Sequence, residues 1–493
     1  MTTAFAIHRL ATGVPGLDEI LGGGLPEFSF NLLAGQPGCG KTTLAHQLMF
    51  SLATPERPAI YFSVLGEPPL KMLRYQQQFS FFDPEAIGGR VRFVNLSEDA
   101  MAGDLDRVLR RIVDEVVAGS PAFVFVDSFR SLVLLGNGGV SQPLQAFVQQ
   151  LGMLMTSWQA TSFLIGEYFS EAEPNPVFTV ADGLIWLRQS VQRNSMVRKI
   201  EVLKMRGQPT LPGLHSFRIG SEGIRIFAPA PQGAAEVPDL VALSPGRRLG
   251  TGVPGLDEML GGGLPRGYSL LVAGPSGSGK SILAAAFLAE GARQGETGVM
   301  AAFEQHPYRS RNRVLIDLIA SGRVGLVDNH APDLSIDEIA QLLLDEVRRL
   351  GATRVVIDSL SGCELSLAPT FRDDFRESLL RLVATLARVG VSVLVTSELE
   401  DRYTDLRFSP YGAAFLTDAI IVQRYIEVGS RLRRVMAVVK VRASAHSDAL
   451  REFAIDDDGI RLGDTLPEQE GLLGGRPTEK SVRAAGVAPE GAA

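Results

Sequence analysis

Cysteine is scarce in this sequence, and so are long apolar runs. Only Cys39 and Cys363 occur among 493 residues, so the chain cannot hold a disulfide framework, and the scarcity fits a reducing compartment. No apolar run approaches the ~20 residues that a membrane-spanning helix needs, and residues 1–10 lack the apolar core of a signal peptide. We therefore expect a cytoplasmic protein with no membrane partner.

Positive charge is not in excess either. Lys and Arg number 48 against 55 Asp and Glu, a net charge of −7, so no overall field attracts phosphate polymers, although a local basic groove is compatible with this balance. The six His are scattered, without the spacing of metal ligands. With 45% hydrophobic residues the composition is that of a folded protein, and the length suits two domains.

The sequence contains one unit twice. Residues 10–26 read LATGVPGLDEILGGGLP, and residues 249–265 read LGTGVPGLDEMLGGGLP. The offset that pairs Gly13 with Gly252 also pairs Lys41 with Lys280, so the repeat indicates tandem domains. We predict a first domain over 1–228, a linker rich in Pro, Ala and Gly over 229–246, a second domain over 247–464 and a flexible tail over 465–493.

Short apolar runs alternate with helical patterns in each half. In the first half the runs are 28–34, 59–64, 91–96, 122–126 and 161–165, with helical stretches such as 42–53 and 105–117 between them. This alternation predicts an α/β fold with a mainly parallel sheet covered by helices. Two later stretches, 199–205 and 217–227, are predicted to extend the sheet in antiparallel fashion.

Two glycine-rich segments predict phosphate-binding loops. Residues 35–42 (GQPGCGKT) and 274–281 (GPSGSGKS) match G-x-x-x-x-G-K-[ST], and each follows an apolar strand and opens a helix. Lys41 and Lys280 would reach the β- and γ-phosphates of ATP, while the hydroxyls of Thr42 and Ser281 would bind Mg²⁺. The predicted ATP-binding residues of these loops are Gly35, Gln36, Pro37, Gly38, Cys39, Gly40, Lys41, Thr42 and Thr43 in the first half, and Gly274, Pro275, Ser276, Gly277, Ser278, Gly279, Lys280, Ser281 and Ile282 in the second.

An aspartate ends an apolar strand downstream of each loop. These are Asp127 in FVFVDS and Asp358 in VVIDS. Such a residue on its own is often only a helix cap, but after a phosphate loop in both halves it is expected to help hold Mg²⁺.

The duplicated leader and the two loops resemble the KaiC family of tandem RecA-type ATPases over nearly the whole chain up to the tail. The resemblance implies a hexamer of two stacked rings with ATP bound between neighbouring subunits. It further implies that the cations of KMRG and KVR, each just before a late strand, reach the nucleotide of an adjacent subunit; these are Lys204, Arg206, Lys440 and Arg442. Without the resemblance, basic strands facing solvent explain these cations equally well.

Hydrolysis needs a group that orients or deprotonates the attacking water. In the family this is a Glu-Glu pair after the second strand, which predicts Glu304 as the base of the second half. In the first half Leu65 and Gly66 occupy the acidic positions and Glu67 is displaced by one residue. Either a bulge near Gly66 returns Glu67 to the site, or the first ring binds ATP and hydrolyses it slowly.

A second departure concerns kinase activity. The family's clock members phosphorylate a Ser-Thr pair shortly before a Thr-Asp dipeptide, but here Ala414, Phe415 and Leu416 precede Thr417-Asp418. The autophosphorylation cycle should therefore be absent, unless Thr417 or the nearby Thr404 and Ser409 substitute as acceptors.

Three functions remain open from the sequence. The leading hypothesis is an ATP-hydrolysing hexameric regulator whose nucleotide state controls its ring conformation and its binding of a regulatory protein partner. A serine/threonine (auto)kinase would use the same phosphate and Mg²⁺ apparatus. A nucleic-acid motor is disfavoured, because residues 167–182 contain no Lys or Arg and residues 398–412 contain four acids and only two Arg.

Overall fold

The chain divides into two compact units, Met1–Pro229 and Ala230–Ala493, in the computed structural model of the protein. The structure describes residues 7–64, 69–101, 105–129, 142–170, 175–192, 194–229, 247–304, 312–327, 333–373, 375–399, 417–428, 430–457, 459–465, 469–470 and 478–479. Each unit carries its own large sheet and its own core, and the two are described separately below.

The first unit consists of the following elements. Its helices are α1 (Leu17–Leu21), α2 (Lys41–Leu52), α3 (Pro69–Gln76), α4 (Ser97–Met101), α5 (Leu105–Gly119), α6 (Gln142–Ser157) and α7 (Pro176–Val180), with a 3₁₀ turn at Pro84–Ala86. Its strands are β1 (Arg9–Leu10), β2 (Leu25–Pro26), β3 (Phe30–Gly35), β4 (Ala59–Ser63), β5 (Val91–Asn95), β6 (Phe123–Asp127), β7 (Thr161–Glu167), β8 (Gly183–Gln192), β9 (Ser195–Met205), β10 (His215–Gly220) and β11 (Gly223–Phe227).

The large sheet of the first unit has the strand order β11-β10-β9-β8-β3-β7-β6-β4-β5 within the described residues. The strands from β8 to β5 pair in parallel, and β9, β10 and β11 add antiparallel strands beyond β8. Because β3 lies in the middle, the loop that follows it emerges at the centre of the sheet's carboxyl edge, where ligands bind in open α/β sheets.

Burial explains why these segments adopt these structures. Every residue of β3 is buried, as expected of a parallel strand with helices on both faces. Helix α5 buries only Val108, Leu109, Ile112 and Val116, a single apolar stripe at helical spacing. Two separate clusters of buried side chains cover the two faces of the sheet.

The second unit repeats this plan. Its helices are α8 (Pro254–Met259), α9 (Lys280–Arg293), α10 (Arg313–Ala320), α11 (Ile336–Leu350), α12 (Leu360–Ser366), α13 (Pro369–Arg372) and α14 (Phe375–Arg388). Its strands are β12 (Arg248–Leu249), β13 (Leu264–Pro265), β14 (Ser269–Gly274), β15 (Gly298–Ala302), β16 (Val324–Val327), β17 (Arg354–Asp358), β18 (Ser392–Glu398), β19 (Ala419–Val428), β20 (Arg431–Val441), β21 (Arg451–Asp456) and β22 (Gly459–Thr465). The sheet order β16-β15-β17-β18-β14-β19-β20-β21-β22 is that of the first unit, strand for strand.

The repeated leader folds in the same way in both units. Thr12 donates its hydroxyl to Asp18 Oδ1 at 2.7 Å, and Thr251 donates to Asp257 Oδ1 at the same distance. This hydrogen bond closes the turn between a short strand and the following helix, which explains why T-G-V-P-G-L-D recurs as a block.

The predicted α/β class with mainly parallel sheets is confirmed, and the antiparallel extension is observed as β9, β10 and β11. The sequence analysis missed one central strand, β8, which pairs directly with β3. Within 465–493, the described residues form two short paired strands, β23 (Gln469–Glu470) and β24 (Thr478–Glu479). Among the described helices, none has the length and apolar character needed to cross a membrane.

Candidate functional site

The first phosphate loop leads from the end of β3 into α2. Gly40 has a φ of 106°, and a Cβ at this position would lie 2.8 Å from the Ile219 side chain, so only glycine fits between the loop and β10. A Cβ on Gly38, in contrast, would meet no atom within 4 Å. The loop is therefore packed on its inner side and open where the free N–H groups of the first turn of α2 can bind an anion.

Lys41 lies inside this loop and is only 6% exposed. Its ammonium group donates to the backbone oxygen of Gln36 at 2.8 Å, which folds the side chain back over the loop. An ammonium has three donors, so this bond leaves capacity for a phosphate. Burial raises the pKa of the neighbouring Cys39 thiol, although the charge of Lys41 opposes the shift, and Cys39 therefore remains a neutral packing residue.

Asp127 receives two hydrogen bonds on one carboxylate oxygen. Thr42 Oγ1 donates to Asp127 Oδ2 at 2.9 Å, and the Tyr61 hydroxyl donates to the same oxygen at 2.6 Å. Burial raises the pKa of Asp127, while these two hydrogen bonds and the charge of Lys41 oppose the shift and Glu167 adds to it. The structure thus brings together the predicted Mg²⁺ residues of the first half.

The second loop has the same backbone form. Gly279 has a φ of 104°, and its Cβ would lie 2.6 Å from Ile455 of β21. Lys280 donates to the backbone oxygens of Gly274 at 2.9 Å and Pro275 at 2.8 Å. The cradle and its lysine are therefore preserved in both units.

Carboxylates converge on Lys280. Burial lowers the pKa of Lys280, and the negative charges of Glu398, Asp358 and Glu304 oppose this shift, in that order of size. Glu304 lies just after β15 and accepts a hydrogen bond from the Ser359 hydroxyl. The predicted base, the predicted Mg²⁺ aspartate and the loop lysine of the second half thus share one electrostatic environment.

Asp358 is held differently from Asp127. Its Oδ1 accepts a hydrogen bond from Thr396 at 2.5 Å, whereas Ser281, at the first turn of α9, is exposed. Within the described residues no hydrogen bond joins Ser281 to Asp358, so the contact between Thr42 and Asp127 has no counterpart in the second unit.

The other loop residues assigned to ATP occupy the expected positions. Those at the exposed tips of the two loops are Gln36, Pro37, Ser276 and Gly277, and the half-buried ones in the first helical turns are Thr43 and Ile282. Gly35 and Ser278 are buried at the base of the loops. Glu67, with Leu65 and Gly66, lies outside the described residues, so both readings of the first site stay predictions.

Lys204 and Arg206 do not approach the loop of their own unit. Lys204 Nζ donates to the backbone oxygen of Thr179 at 3.1 Å, and Arg206 Nη1 donates to Asp182 Oδ1 at 3.1 Å. Read across β8, the strand register sets Lys204 level with Leu32 in the middle of β3 and Arg206 level with the start of β3, whereas the phosphate loop follows the end of β3. The guanidinium therefore lies toward the opposite edge of the sheet.

Lys440 and Arg442 repeat this placement in the second unit. Lys440 Nζ donates to the backbone oxygen of Thr417 at 2.7 Å, and Arg442 Nη1 lies 3.4 Å from Asp418 Oδ1. Burial and then the charge of Arg442 lower the pKa of Lys440, and Asp418 opposes them. An equivalent balance of burial, Arg206 and Asp182 lowers the pKa of Lys204.

Four site residues escaped the sequence analysis. Tyr61 and Thr396 supply hydroxyls to the two aspartates, and their roles depend on strand register. Glu167 and Glu398 end the strands beside β3 and β14, each in register with the first glycine of its loop. Glu167 and Glu398 could have been predicted from the sequence, because both are acids that end an apolar strand at the same place in the repeat.

The described residues contain no group of three or more His, Cys, Asp or Glu side chains that could hold a metal ion by itself. Mg²⁺ often binds through one or two protein groups together with substrate phosphates. The pair of Thr42 and Asp127 is a donor set of that kind.

Comparison with known proteins places these features in a family. The model of the KaiC ATPase family matches residues 10–230 and 249–466. The circadian clock oscillator protein KaiC of Rippkaea orientalis is 27% identical over 496 aligned residues, which cover 97% of this chain and 93% of that protein. The KaiC protein of Picosynechococcus and the KaiC 1 protein of Synechocystis are each 26% identical over 492 residues, with the same coverage.

Proposed function

The chain belongs to the KaiC family of ATPases, and from that premise we propose that it is a cytoplasmic, hexameric ATPase with a regulatory role. It binds ATP and Mg²⁺ in both units and hydrolyses ATP chiefly in the second. Its nucleotide state controls the conformation of its rings and the binding of a protein partner.

The two cradles fit ATP and Mg²⁺. Each offers an open loop, a helix N-terminus and a lysine whose remaining donors can bind phosphate. In the first unit Thr42 and Asp127 would hold Mg²⁺, and in the second Ser281 and Asp358 would do so. Bound ATP would supply the phosphoryl group, and Mg²⁺ would neutralise part of the charge on that group.

The observation that carries the proposal for hydrolysis is the placement of Glu304 near Asp358. Glu304 follows β15, whose last residue Ala302 pairs with Asp358, and it accepts a hydrogen bond from Ser359. Asp358 and Lys280 have roles in binding metal and phosphate. Glu304 stands at the position of the family's Glu-Glu pair after the second strand, so we assign to it the proton from an attacking water. The hydrogen bond from Ser359 orients Glu304 for this role.

The hexamer is supported by the position of the cations. Arg442 lies toward the opposite edge of its own sheet from the loop, and the Lys440 ammonium is held at the backbone oxygen of Thr417, so a role at the phosphates requires a nucleotide held by a neighbouring copy. The same holds for Lys204 and Arg206. Cations supplied by a neighbour would offset charge on the transferring phosphoryl group.

The test of the hydrolytic site is turnover of [γ-³²P]ATP by the full chain and by Glu304→Gln, with free phosphate and labelled protein followed together. Loss of the base should lower phosphate release by about 10²–10⁴-fold, with ATP binding retained. Glu258→Gln, at an exposed glutamate of α8, is the matched control and should change nothing. Unchanged release in Glu304→Gln would overturn the assignment.

The same experiment addresses kinase activity. Ala414, Phe415 and Leu416 have no hydroxyl, and Thr417 is only 2% exposed, so we expect no labelled protein. Thr404 and Ser409 lie outside the described residues. Label on the protein would instead identify a kinase and disprove this expectation.

The hexamer is tested by mixing two inactive proteins. Lys280→Ala lacks the loop lysine, and the double variant Lys440→Ala/Arg442→Ala lacks the cations. In mixed rings some interfaces combine an intact loop with intact cations, so phosphate release should recover. Arg431→Ala, an exposed cation on the same strand, should remain active alone. The absence of an ATP-dependent hexamer in light scattering, or of any recovery, would refute the shared site.

A further inference from the structure

The hydroxyl of Tyr61 has no role in the function proposed so far. It donates to Asp127 Oδ2 at 2.6 Å, and Thr42 donates to the same oxygen at 2.9 Å. No described residue donates to Oδ1 of Asp127. One oxygen of the carboxylate is therefore fixed by two donors, while the other is left for the water shell of a metal ion.

The ring of Tyr61 is held rigidly. The side chain is fully buried, and its ring centroid lies 4.8 Å from His46, 5.4 Å from Phe93 and 6.2 Å from Phe125. These neighbours come from α2, β5 and β6, which are parts of the packed core. Because the ring cannot swing, its hydroxyl defines a fixed direction for the Asp127 carboxylate.

The second unit also supplies a buried hydroxyl to its aspartate, but this hydroxyl comes from the neighbouring strand on the other side. Strand register matches Tyr61 on β4 with Met300 on β15, which has no hydroxyl. On the opposite neighbouring strand, Thr396 donates to Asp358, and the matching residue of the first unit is Ile165, which pairs with Asp127. Each unit therefore supplies one buried hydroxyl to its aspartate, but from opposite neighbouring strands.

We propose that Tyr61 is a positioning residue of the first nucleotide site, which orients Asp127 toward the Mg²⁺ that accompanies bound ATP. This inference rests on the proposed function, because it assumes that the first unit binds MgATP. Partners that orient a metal-binding carboxylate act on metal affinity, and their removal commonly costs about 10- to 100-fold in that affinity. Their effect on a nucleotide bound without metal is small.

The experiment uses the full chain with Lys280→Ala, which weakens the second cradle. Binding of a fluorescent ATP analogue is titrated with Mg²⁺ and measured separately in EDTA. In Tyr61→Phe the Mg²⁺ concentration for half-maximal binding should rise about tenfold, while affinity in EDTA stays unchanged. Phe93→Leu, which disturbs the same packing without touching Asp127, should leave the Mg²⁺ dependence as it was.

A second variant transplants the arrangement of the second unit. Tyr61→Phe/Ile165→Thr places a hydroxyl where Thr396 stands relative to Asp358, and we expect it to return the Mg²⁺ dependence toward that of the parent protein. A purely structural role for Tyr61 does not predict this rescue.

The outcomes separate the two proposals. If the parent protein shows no Mg²⁺-dependent binding in its first unit, the proposed function fails there. If the parent binds and Tyr61→Phe titrates identically, the inference about Tyr61 is overturned and the proposed function stands. An equal loss of affinity with and without Mg²⁺ would also overturn the inference, because it would reduce Tyr61 to a packing residue.

Discussion

Behind the two phosphate loops, equivalent positions hold different side chains. The second unit places Ser278 against Gln423, with a hydrogen bond of 3.0 Å, whereas the matching positions of the first unit are Cys39 and Leu187. The loops themselves are alike, since the last two glycines of each have nearly the same φ and a lysine is folded over each loop. The duplication has kept the glycines and the lysine of the loop and exchanged the side chains that pack behind it.

A similar exchange occurs at the other end of the sheets. In the first unit Arg57 lies over the ring of Phe123 at 5.1 Å. In the second unit the matching residues are Glu296 and Arg354, so the cation stands at the start of β17 instead of before β4, and it is fully buried with Glu296 as its acid partner at 2.8 Å. The two units have the same strand order but different side chains packed around it. We therefore expect them to differ in stability and in activity, as four predictions test.

The largest expected difference is in stability. Arg354 is fully buried, and Arg354→Ala leaves Glu296 with only the exposed Arg247 at 3.9 Å, so the second unit should lose about 3–5 kcal/mol of unfolding free energy. Arg57 is 37% exposed beside Glu27, so Arg57→Ala should cost the first unit about 1 kcal/mol or less. Urea denaturation of the full chain, followed as separate transitions of the two units, measures both.

Arg293→Ala provides the control, because Arg293 makes an ion pair with Glu290 while remaining 76% exposed. It should behave like Arg57→Ala. Equal losses from Arg354→Ala and Arg57→Ala would show that the two arrangements are energetically equivalent.

The next difference concerns turnover. Lys280→Ala removes the donor proposed to meet the phosphates, and we expect phosphate release to fall by about 10²–10³-fold. Lys41→Ala should leave most of the release intact, because Leu65 and Gly66 replace the acidic pair in the first half. Phosphate release by the two variants at saturating ATP measures this, and the opposite result would show that the first unit is the active one.

The third difference is a dependence on pH. His46 is fully buried in α2, and burial lowers its pKa from 6.5 to about 4, although Gln76 acts in the opposite sense. The folded state therefore favours the neutral ring. This stability is complete above pH 6.5 and is lost as the pH falls toward 4, because the unfolded chain binds the proton first. The loss amounts to about 3 kcal/mol at most.

The second unit has Ala285 at the matching position of the repeat, so it lacks this group. Urea denaturation of the full chain between pH 7.5 and 4.5 should show the first unit weakening relative to the second, and His46→Phe should remove the difference. A first unit that weakens equally in His46→Phe would assign the effect to other groups.

The sequence was sufficient for the parts of this comparison that depend on local pattern. Buried parallel strands such as β3 are continuous apolar runs, and the loops have fixed glycine spacing, so both were predicted. Strand β8 was missed because only its first half is apolar, while the residues beyond Leu187 read RQSVQ and, within the described residues, pair only with β9.

The supporting residues could not be predicted, because their roles depend on the order and register of strands. Tyr61 meets Asp127 only because β4 lies next to β6, and Thr396 meets Asp358 only because β18 lies next to β17. No spacing in the sequence encodes either contact. Glu398 could have been proposed from the sequence, since it ends a strand as Asp358 does. Its proximity to Lys280, however, could be predicted only by knowing that β18 flanks β14.

The smallest expected effect concerns the hydrogen bond between Ser278 and Gln423, which are both fully buried. Ser278→Cys or Gln423→Leu alone leaves a buried polar group without its partner, and each should cost about 1–3 kcal/mol of unfolding free energy. The double variant reproduces the pair found in the first unit, so it should cost about 1 kcal/mol less than the sum of the singles. Cys39→Ser is the reciprocal control in the first unit. It buries a hydroxyl that has no amide partner, because Leu187 occupies the position that matches Gln423. Urea denaturation of the single and double variants measures the coupling, and strictly additive losses would mean that the two pairs are not alternative solutions for supporting the same loop.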